Sequence, residues 1–444
     1  MVQRASEALF VPPREFRPRS ELAPDPLRDR LAKVVEESAL SLLDPRRIQA
    51  QAEDLGVVKL RRVHHLGLLV TSLVLSALER QTDTSGRWLD AQQVYKQLGG
   101  PDAGKTSFRN RTRQSAPVLQ AMLDRQMKKL ADETDDFELR GRLAGFTNVL
   151  VPDGCAFKLA SVLSGYYPGT GNPAELKLHA VYCVKTGMAT VTETTAGRVH
   201  DNEGFAPVWE KGALYIWDLG YNDNERFVDA VNAGAIPLQR LKSGANPVAL
   251  AWYDEEGRHP ITDSDGRPMK LNEAAQFAVP STGPFDVDVE LRDAAGRSIV
   301  ARVVCIPYGK ESGQKQEQDR YYLTVLPRDI FTVFDVAEIY RLRWEVELFF
   351  RNWHGALRMD DVHRLSHPGS VKTHVLASLV AATLARDIHA GLSRISLEHA
   401  QTEAACAATS EPHRADPGAF PPGGPRSIER QRYGRSGFAA EPRR

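Results

Sequence analysis

With 444 residues, the chain exceeds one ordinary core and accommodates two or three domains. Its 42% hydrophobic and 26% charged residues are those of a globular protein and exclude wholesale disorder or a fibre. Lys plus Arg and Asp plus Glu balance at 57 each, so no global positive field announces a polyanionic partner, and any such surface must be a local cluster.

Residues 1–24 are rich in Pro and Arg and read as a flexible arm. They lack the continuous apolar core of a leader, and the most apolar later stretches, Leu66 to Leu78 and Val375 to Leu384, fall short of a membrane span. The four cysteines, Cys155, Cys183, Cys305 and Cys406, stand far apart without a Cys-x-x-Cys pair, which points to small buried thiols in a reducing compartment. A cytoplasmic protein without a membrane partner is expected.

Residues 25–145 read as a helical, DNA-binding domain, with amphipathic repeats in LAKVVEESALSLLD and APVLQAMLDRQMKKLADE and a buried helix in LGLLVTSLVLSALER. In front of the last of these helices, KTSFRNRTRQ gathers Lys105, Arg109, Arg111 and Arg113 beside Phe108. This is the best local patch for DNA phosphates, although a solvated surface run explains it equally well. His64 and His65 point to different faces of a helical stretch and read as structural.

From Phe146 the period shortens to that of strands. FTNVLVPDGCAFKLA, LKLHAVYCVK and MATVTETTA read as antiparallel strands, ALYIWDLGY as a fourth, and NERFVDAVNAG as a helix stopped by Gly234. The fold class is therefore α/β, with a ribonuclease H-like mixed sheet core over 146–234 and 326–395. Residues 235–325, with IPLQRLK, FDVDVELRD, RSIVARVVCI and YYLTVL, read as an all-β insertion. Its acidic run at Asp263 lacks the later ligands of a calcium loop and reads as a hairpin turn. Helix returns in VAEIYRLRWEVELFFRNWHGAL and VKTHVLASLVAATLARDIH, and 396–444 reads as a disordered tail rich in Pro, Gly and Arg.

The first of those late helices sets Tyr340, Arg343, Glu347, Arg351 and His354 on one stripe, beside an apolar stripe of Ile339, Leu342, Val346, Phe349 and Trp353. Intrahelical ion pairs, Arg343 to Glu347 and Glu347 to Arg351, account for part of this at about 0.2 to 0.5 kcal/mol each. Asp153 interrupts a hydrophobic strand before Gly154, and Asp218 ends another shortly before Gly220. Such an acid needs a compensating partner, which a cation, an arginine or a turn hydrogen bond can be. If the two strands adjoin and the helix packs on them, the three carboxylates can hold two hard cations about 3.5 to 4 Å apart, the arrangement suited to phosphodiester chemistry.

The spacing of Tyr340, Arg343 and Glu347 resembles the signature of bacterial insertion-sequence transposases of family four: Tyr, two residues, Arg, three residues, Glu, six residues, Lys. LTVLPRDIFTVFDVAEIYRLRWEVELFFRNWHGAL is similar to that family's third catalytic block, and DGCAFKLA and WDLGYNDNERF are similar to the first and second. The resemblance runs from about Phe108 to Leu392. It implies that Asp153, Asp218 and Glu347 are a catalytic triad binding two Mg²⁺ ions, with Mn²⁺ able to substitute, and that Tyr340 and Arg343 contact phosphates at the element's end. It further implies double-stranded DNA as partner, at element ends and target, a homodimer on that DNA, and association with the nucleoid. The final Lys of the signature is His354 here, and Arg351 one turn earlier offers a compensating phosphate contact. Two expectations stay open: a cut-and-paste transposase, or an inactive remnant that binds DNA without catalysis.

Overall fold

The computed structural model describes residues 26–58, 65–78, 87–134, 138–204, 208–221, 223–242, 244–277, 283–307, 320–357 and 359–409. The expected arm at 1–24, His64 and the chain beyond 409 lie outside them.

The described chain opens with helices α1 (Pro26–Leu43), α2 (Pro45–Asp54), α3 (Leu66–Leu78), α4 (Arg87–Gln97), α5 (Lys105–Gln114) and α6 (Ala116–Thr134). Asp44 caps α2 by accepting the Arg46 N–H at 2.9 Å, with Pro45 at the first helical position. His65 Nδ1 likewise accepts the Leu68 N–H at the start of α3, a structural role. Helix α3 has no charged residue and is buried on nearly every side, its Thr71, Ser72 and Ser76 hydroxyls donating to the carbonyls of Leu43, Leu69 and Leu73. A helix apolar all round must be enclosed by other elements. The expectation of a separate helical domain over 25–145 therefore gives way: Leu69, Leu73 and Leu119 share one apolar cluster with Val149 and Leu178 of the sheet and with Val380 and Leu384 near the C-terminus. The described residues up to Ile395 form one compact unit. The basic stretch KTSFRNRTRQ, in front of α6 as expected, is itself helix α5, anchored by buried Phe108 and Thr112.

The strands are β1 (Val149–Lys158), β2 (Glu175–Cys183), β3 (Met188–Ala196), β4 (Leu214–Trp217), β5 (Ile236–Arg240), β6 (Val248–Asp254), β7 (Gly257–Pro260), β8 (Met269–Lys270), β9 (Phe285–Arg292), β10 (Ser298–Ile306) and β11 (Arg320–Thr324). They make one sheet in the order β3-β2-β1-β4-β5-β11-β10-β9-β6-β7, with β8 paired to β6. β1, β2 and β3 run antiparallel as expected, and β4 lies parallel to both β1 and β5. With helices on the sheet this is a mixed α/β fold, consistent with a ribonuclease H-like core.

Two boundaries move. The segment IPLQRLK, expected to open the insertion, supplies β5 and belongs to the core, because it pairs with β4 along Leu214–Ile236 to Trp217–Gln239. The insertion is also neither detached nor all β: β11 pairs antiparallel with β5, so the core sheet runs on into it, and helix α8 (Leu271–Phe277) lies within it, after helix α7 (Asn224–Asn232) of the core. Leu271 and Ala274 of α8 give their apolar side to the cluster on that face. The acidic run is the hairpin turn expected, with Asp263 Oδ1 accepting from the N–H groups of Asp265 and Arg267 and Gly266 at φ +77°.

The expected single helix from Asp335 to Leu357 is two: α9 (Val333–Tyr340) and α10 (Arg343–His354). Between them the N–H groups of Arg341, Leu342, Trp344 and Glu345 each bond three residues back, a 3₁₀ turn that advances about 120° per residue instead of about 100°. Helix α9 opens on a reciprocal capping box of Thr332 and Asp335, and Arg142 holds both Asp335 and Glu338.

Helix α11 (Pro368–Thr409) continues past the expected end of order at 395. LEHAQTEAACAAT has no apolar period, but its Ala, Glu and Gln are strong helix formers. Ser396–Arg444 clusters as a second unit, described only through Thr409. Pro368–Thr402 is also long and apolar enough to cross a membrane, against the expectation above, yet half of its most apolar window is buried in the protein, as in a core helix. Cys155, Cys183 and Cys305 are free thiols.

Candidate active site

The site begins where the β1–β4 ladder ends. The parallel pairing joins Val149 to Leu214 and Leu150 to Tyr215 and stops there. Pro152, which has no N–H for a ladder, follows two residues later. Asp153 and Asp218 are each four positions beyond the paired Val149 and Leu214, so they stand at the same level on adjacent parallel strands, Asp153 midway along β1 and Asp218 just past the end of β4. The two-residue period puts Asp153 on the face of Val149, Val151, Cys155 and Phe157, and Asp218 on that of Leu214 and Ile216, all in the apolar cluster beneath the helices. Helix α10 covers this face with Val346, Phe350 and Trp353 and presents Arg343 and Glu347 beside them.

The Arg343 guanidinium touches all three acids. Its Nη2 lies 2.6 Å from Glu347 Oε1, its Nε 3.8 Å from Asp218 Oδ1 and its Nη1 4.0 Å from Asp153 Oδ2. The first is the intrahelical pair that local spacing predicts, whereas the other two depend on packing. The longer contacts are ion pairs without hydrogen-bond geometry, so one cation is shared among three carboxylates. Burial pushes Asp153 up to about 7, against its Gly154 N–H bond and Arg343, with Asp218 and Asp201 adding to the rise. An all-oxygen donor set short of positive charge fits a hard divalent cation, and the residues that could hold one are Asp153, Asp218 and Glu347. Among the described residues, the one group of three His, Cys, Asp or Glu side chains whose ligand atoms all lie within 4.8 Å of one another is elsewhere: Asp254, Glu256 and His259 at the exposed turn of the β6–β7 hairpin, where Asp254 is occupied by the N–H groups of Glu256 and Gly257 and by His259.

Residues 146–384, over half of the chain and containing the three acids, match the family described as the transposase DDE domain. The chain belongs to the DDE transposase family. It is 19% identical over 268 residues to the transposase for insertion sequence element IS231E of Bacillus thuringiensis subsp. finitimus, covering 54% of this chain and 56% of that protein. To the transposase for IS1151 of Clostridium perfringens it is 19% identical over 250 residues, 50% of this chain and 52% of that one. A shorter match, 41% over 66 residues, relates it to the transposase for IS421 of Escherichia coli, over 15% of this chain and 18% of that protein. The chain thus spans little more than half the length of these two Bacillus and Clostridium relatives, and less of the Escherichia coli one.

The other residues expected at the site of this DDE family member divide. Tyr340 is brought to its edge, but it is buried against Tyr322, its hydroxyl without a hydrogen-bond partner among the described residues, and burial and the Asp218 charge push its pKa up. Arg351 is exposed one turn beyond Glu347. Lys105, Arg109, Arg111 and Arg113 lie apart on α5, where Arg109 sits 5.2 Å over the Trp88 ring and Arg113 Nε donates to Ser370 Oγ at 3.1 Å.

His354 is turned away from the role expected of it. Its Nδ1 donates to Asp360 Oδ1 at 2.7 Å, which leaves Nε2 to accept from the Cys155 thiol at 3.1 Å, and the ring packs on Phe157 at 4.6 Å. Both nitrogens are engaged, so no phosphate contact is open to it. The change His354→Ala is expected to destabilise the fold by about 1–3 kcal/mol in urea unfolding. The salt dependence of DNA binding should keep its slope; a loss of about one phosphate's worth, roughly 0.9 in log–log slope, would restore the DNA-contact role.

Asp201 also adjoins the site, on the loop after β3, and nothing in the local sequence marks it. It lies beside Gly154 and Gly220, the glycines that follow Asp153 and Asp218.

Proposed function

We propose that this chain is a transposase that cleaves DNA at the inverted-repeat ends of an insertion sequence and transfers the freed strand, working as a homodimer on DNA. Asp153, Asp218 and Glu347 are its catalytic acids and hold two Mg²⁺ ions, for which Mn²⁺ substitutes. The observation that carries this reading is the sharing of one guanidinium by three carboxylates drawn from two neighbouring strands and a helix. Family membership supports it, as do the relatives, each named as the transposase of an insertion sequence element.

Divalent cations, when bound, activate the attacking hydroxyl and take up charge on the leaving oxygen. The chain's own residues do the rest. Asp153 and Asp218, level with one another on fixed strands, orient the site without reorganisation at the moment of reaction. Arg343, planar and bearing a fork of donors, grips the phosphate next to the scissile bond. Arg351 and the cations of α5 bind flanking backbone phosphates.

The direct test incubates the protein with Mg²⁺ and DNA carrying the inverted repeats that flank its gene. Nicking at the repeat ends is expected; specific end binding with no cleavage in either Mg²⁺ or Mn²⁺ overturns the reading. Proton competition gives a second check. Because burial holds the Asp153 proton up to about 7, cation affinity should tighten about tenfold per unit of rising pH below that value and level off above it. Calorimetric titration with Mn²⁺ from about pH 6 to about pH 8 measures this, and a flat profile contradicts it.

A further inference from the structure

Asp201 sits against the two backbone segments that carry the paired aspartates. A Cβ built on Gly154 would lie 2.6 Å from its Oδ1, and one on Gly220 would lie 3.5 Å from its Oδ2. Glycine at 154 is thus what makes room for the carboxylate. Its loop is fixed from several sides. Lys177 on β2 pairs with Asp201 Oδ1 at 3.1 Å and donates to the Val199 carbonyl at 2.8 Å. Arg226 on α7 donates to the Asn202 side chain at 3.2 Å and to its carbonyl at 2.7 Å. At Gly204 a Cβ would meet His179 at 2.1 Å, so only glycine lets the loop close on β2. Asp201 Oδ1 is buried and, despite the nearby ammonium, receives no hydrogen bond of good geometry. Tyr221 registers the crowding, since burial and then the Asp201 and Asp153 charges push its pKa up.

We infer that Asp201 is a fourth acidic residue of the cation-binding centre, held beside Asp153 and Asp218 by Lys177, and that it strengthens the hold of the centre on divalent cations. The inference rests on the reading of Asp153, Asp218 and Glu347 as cation ligands. Four carboxylates then face two basic side chains, Arg343 and Lys177, which leaves the centre net negative and favours divalent cations. Lys177 acts in the opposite sense to Asp201, cancelling part of the negative potential when no cation is bound.

The two partners therefore have effects of opposite sign, which a purely structural ion pair does not. Calorimetric titration of the full chain with Mn²⁺, without DNA, is expected to show affinity weakened about 10- to 100-fold in Asp201→Asn. Affinity should be tightened by a few-fold in Lys177→Met and abolished in Asp153→Asn. Unchanged affinity in Asp201→Asn beside a loss in Asp153→Asn overturns the inference and leaves the proposed function standing. Weakening in both Asp201→Asn and Lys177→Met also overturns it, in favour of a structural pair. Absence of Mn²⁺ binding by the unaltered protein overturns the ligand reading itself, and the inference with it. Should Asp201→Asn fail to fold, the sign of the Lys177→Met effect still decides.

Discussion

Asp153→Asn is expected to slow Mg²⁺-dependent nicking at element ends by on the order of 10²- to 10³-fold or more while making the metal-free protein more stable. The loss of rate follows from removing a charged oxygen donor that stands level with Asp218 on the adjacent strand. The gain in stability follows from the same burial. The folded-state pKa of Asp153, raised to about 7, lies above the unfolded value of about 3.9, so the folded protein binds this proton more tightly. Stability is therefore lost as pH rises from about 4 to about 7, and the whole penalty is present above that window. Asparagine does not titrate and can keep the bond from the Gly154 N–H. The gain should reach about 2–4 kcal/mol near pH 8 and vanish near pH 4, as read by urea unfolding at the two values. Glu347→Gln makes the contrast: it should lose nicking equally but gain no stability, because Glu347 is only half-buried and directly paired with Arg343. A nicking rate within threefold or so of the unaltered protein in either variant is incompatible with the proposed roles.

The second large effect is expected far from the acids. Arg302 on β10 is buried and meets Asp286 on β9 through Nε at 2.9 Å and Nη2 at 2.7 Å, and its Nη1 donates to the Leu326 carbonyl at 3.1 Å. Arg328 binds Asp286 at 2.9 Å and Asp288 at 2.7 Å and lies 3.5 Å over the Tyr253 ring, whose hydroxyl donates to Asp288. The network ties the extended half of the sheet to the segment after β11 that feeds α9 and then the Glu347 helix. Asp286→Ala strands a buried guanidinium and should cost about 3–5 kcal/mol. The double change Asp286→Leu with Arg302→Met removes both charges and should recover most of that loss, since Arg328 keeps Asp288. A single mutant that unfolds at the same urea concentration as the unaltered protein refutes this account.

Elements with a strong local period were legible in the chain. The antiparallel β1, β2 and β3 carry strand-type runs of which β1 and β2 alternate in part, β4 is a continuous apolar run buried on both faces, and α7 stops at Gly234, which adopts φ +80°. The 3₁₀ turn at Arg341 was not, because a change from about 100° to about 120° per residue leaves no mark in composition. Nor was the joining of β5 to the core, since a strand's partner is chosen by distant residues: β5 has the same apolar character whether it pairs with β4 or opens an insertion.

The candidate site divides along the same line. The sequence by itself determined which residue types were available: Glu347 one turn after Arg343, and two aspartates set in apolar strands before glycines. Helical spacing and strand alternation are local and survive any tertiary arrangement. Only the tertiary structure decided that Asp153 and Asp218 stand level on parallel neighbours, that Arg343 spans all three acids, that His354 is held by Asp360 and Cys155, and that Asp201 faces Gly154. Those contacts join residues far apart in the chain, and they follow from strand register and core packing, which depend on the whole fold rather than on any segment of it.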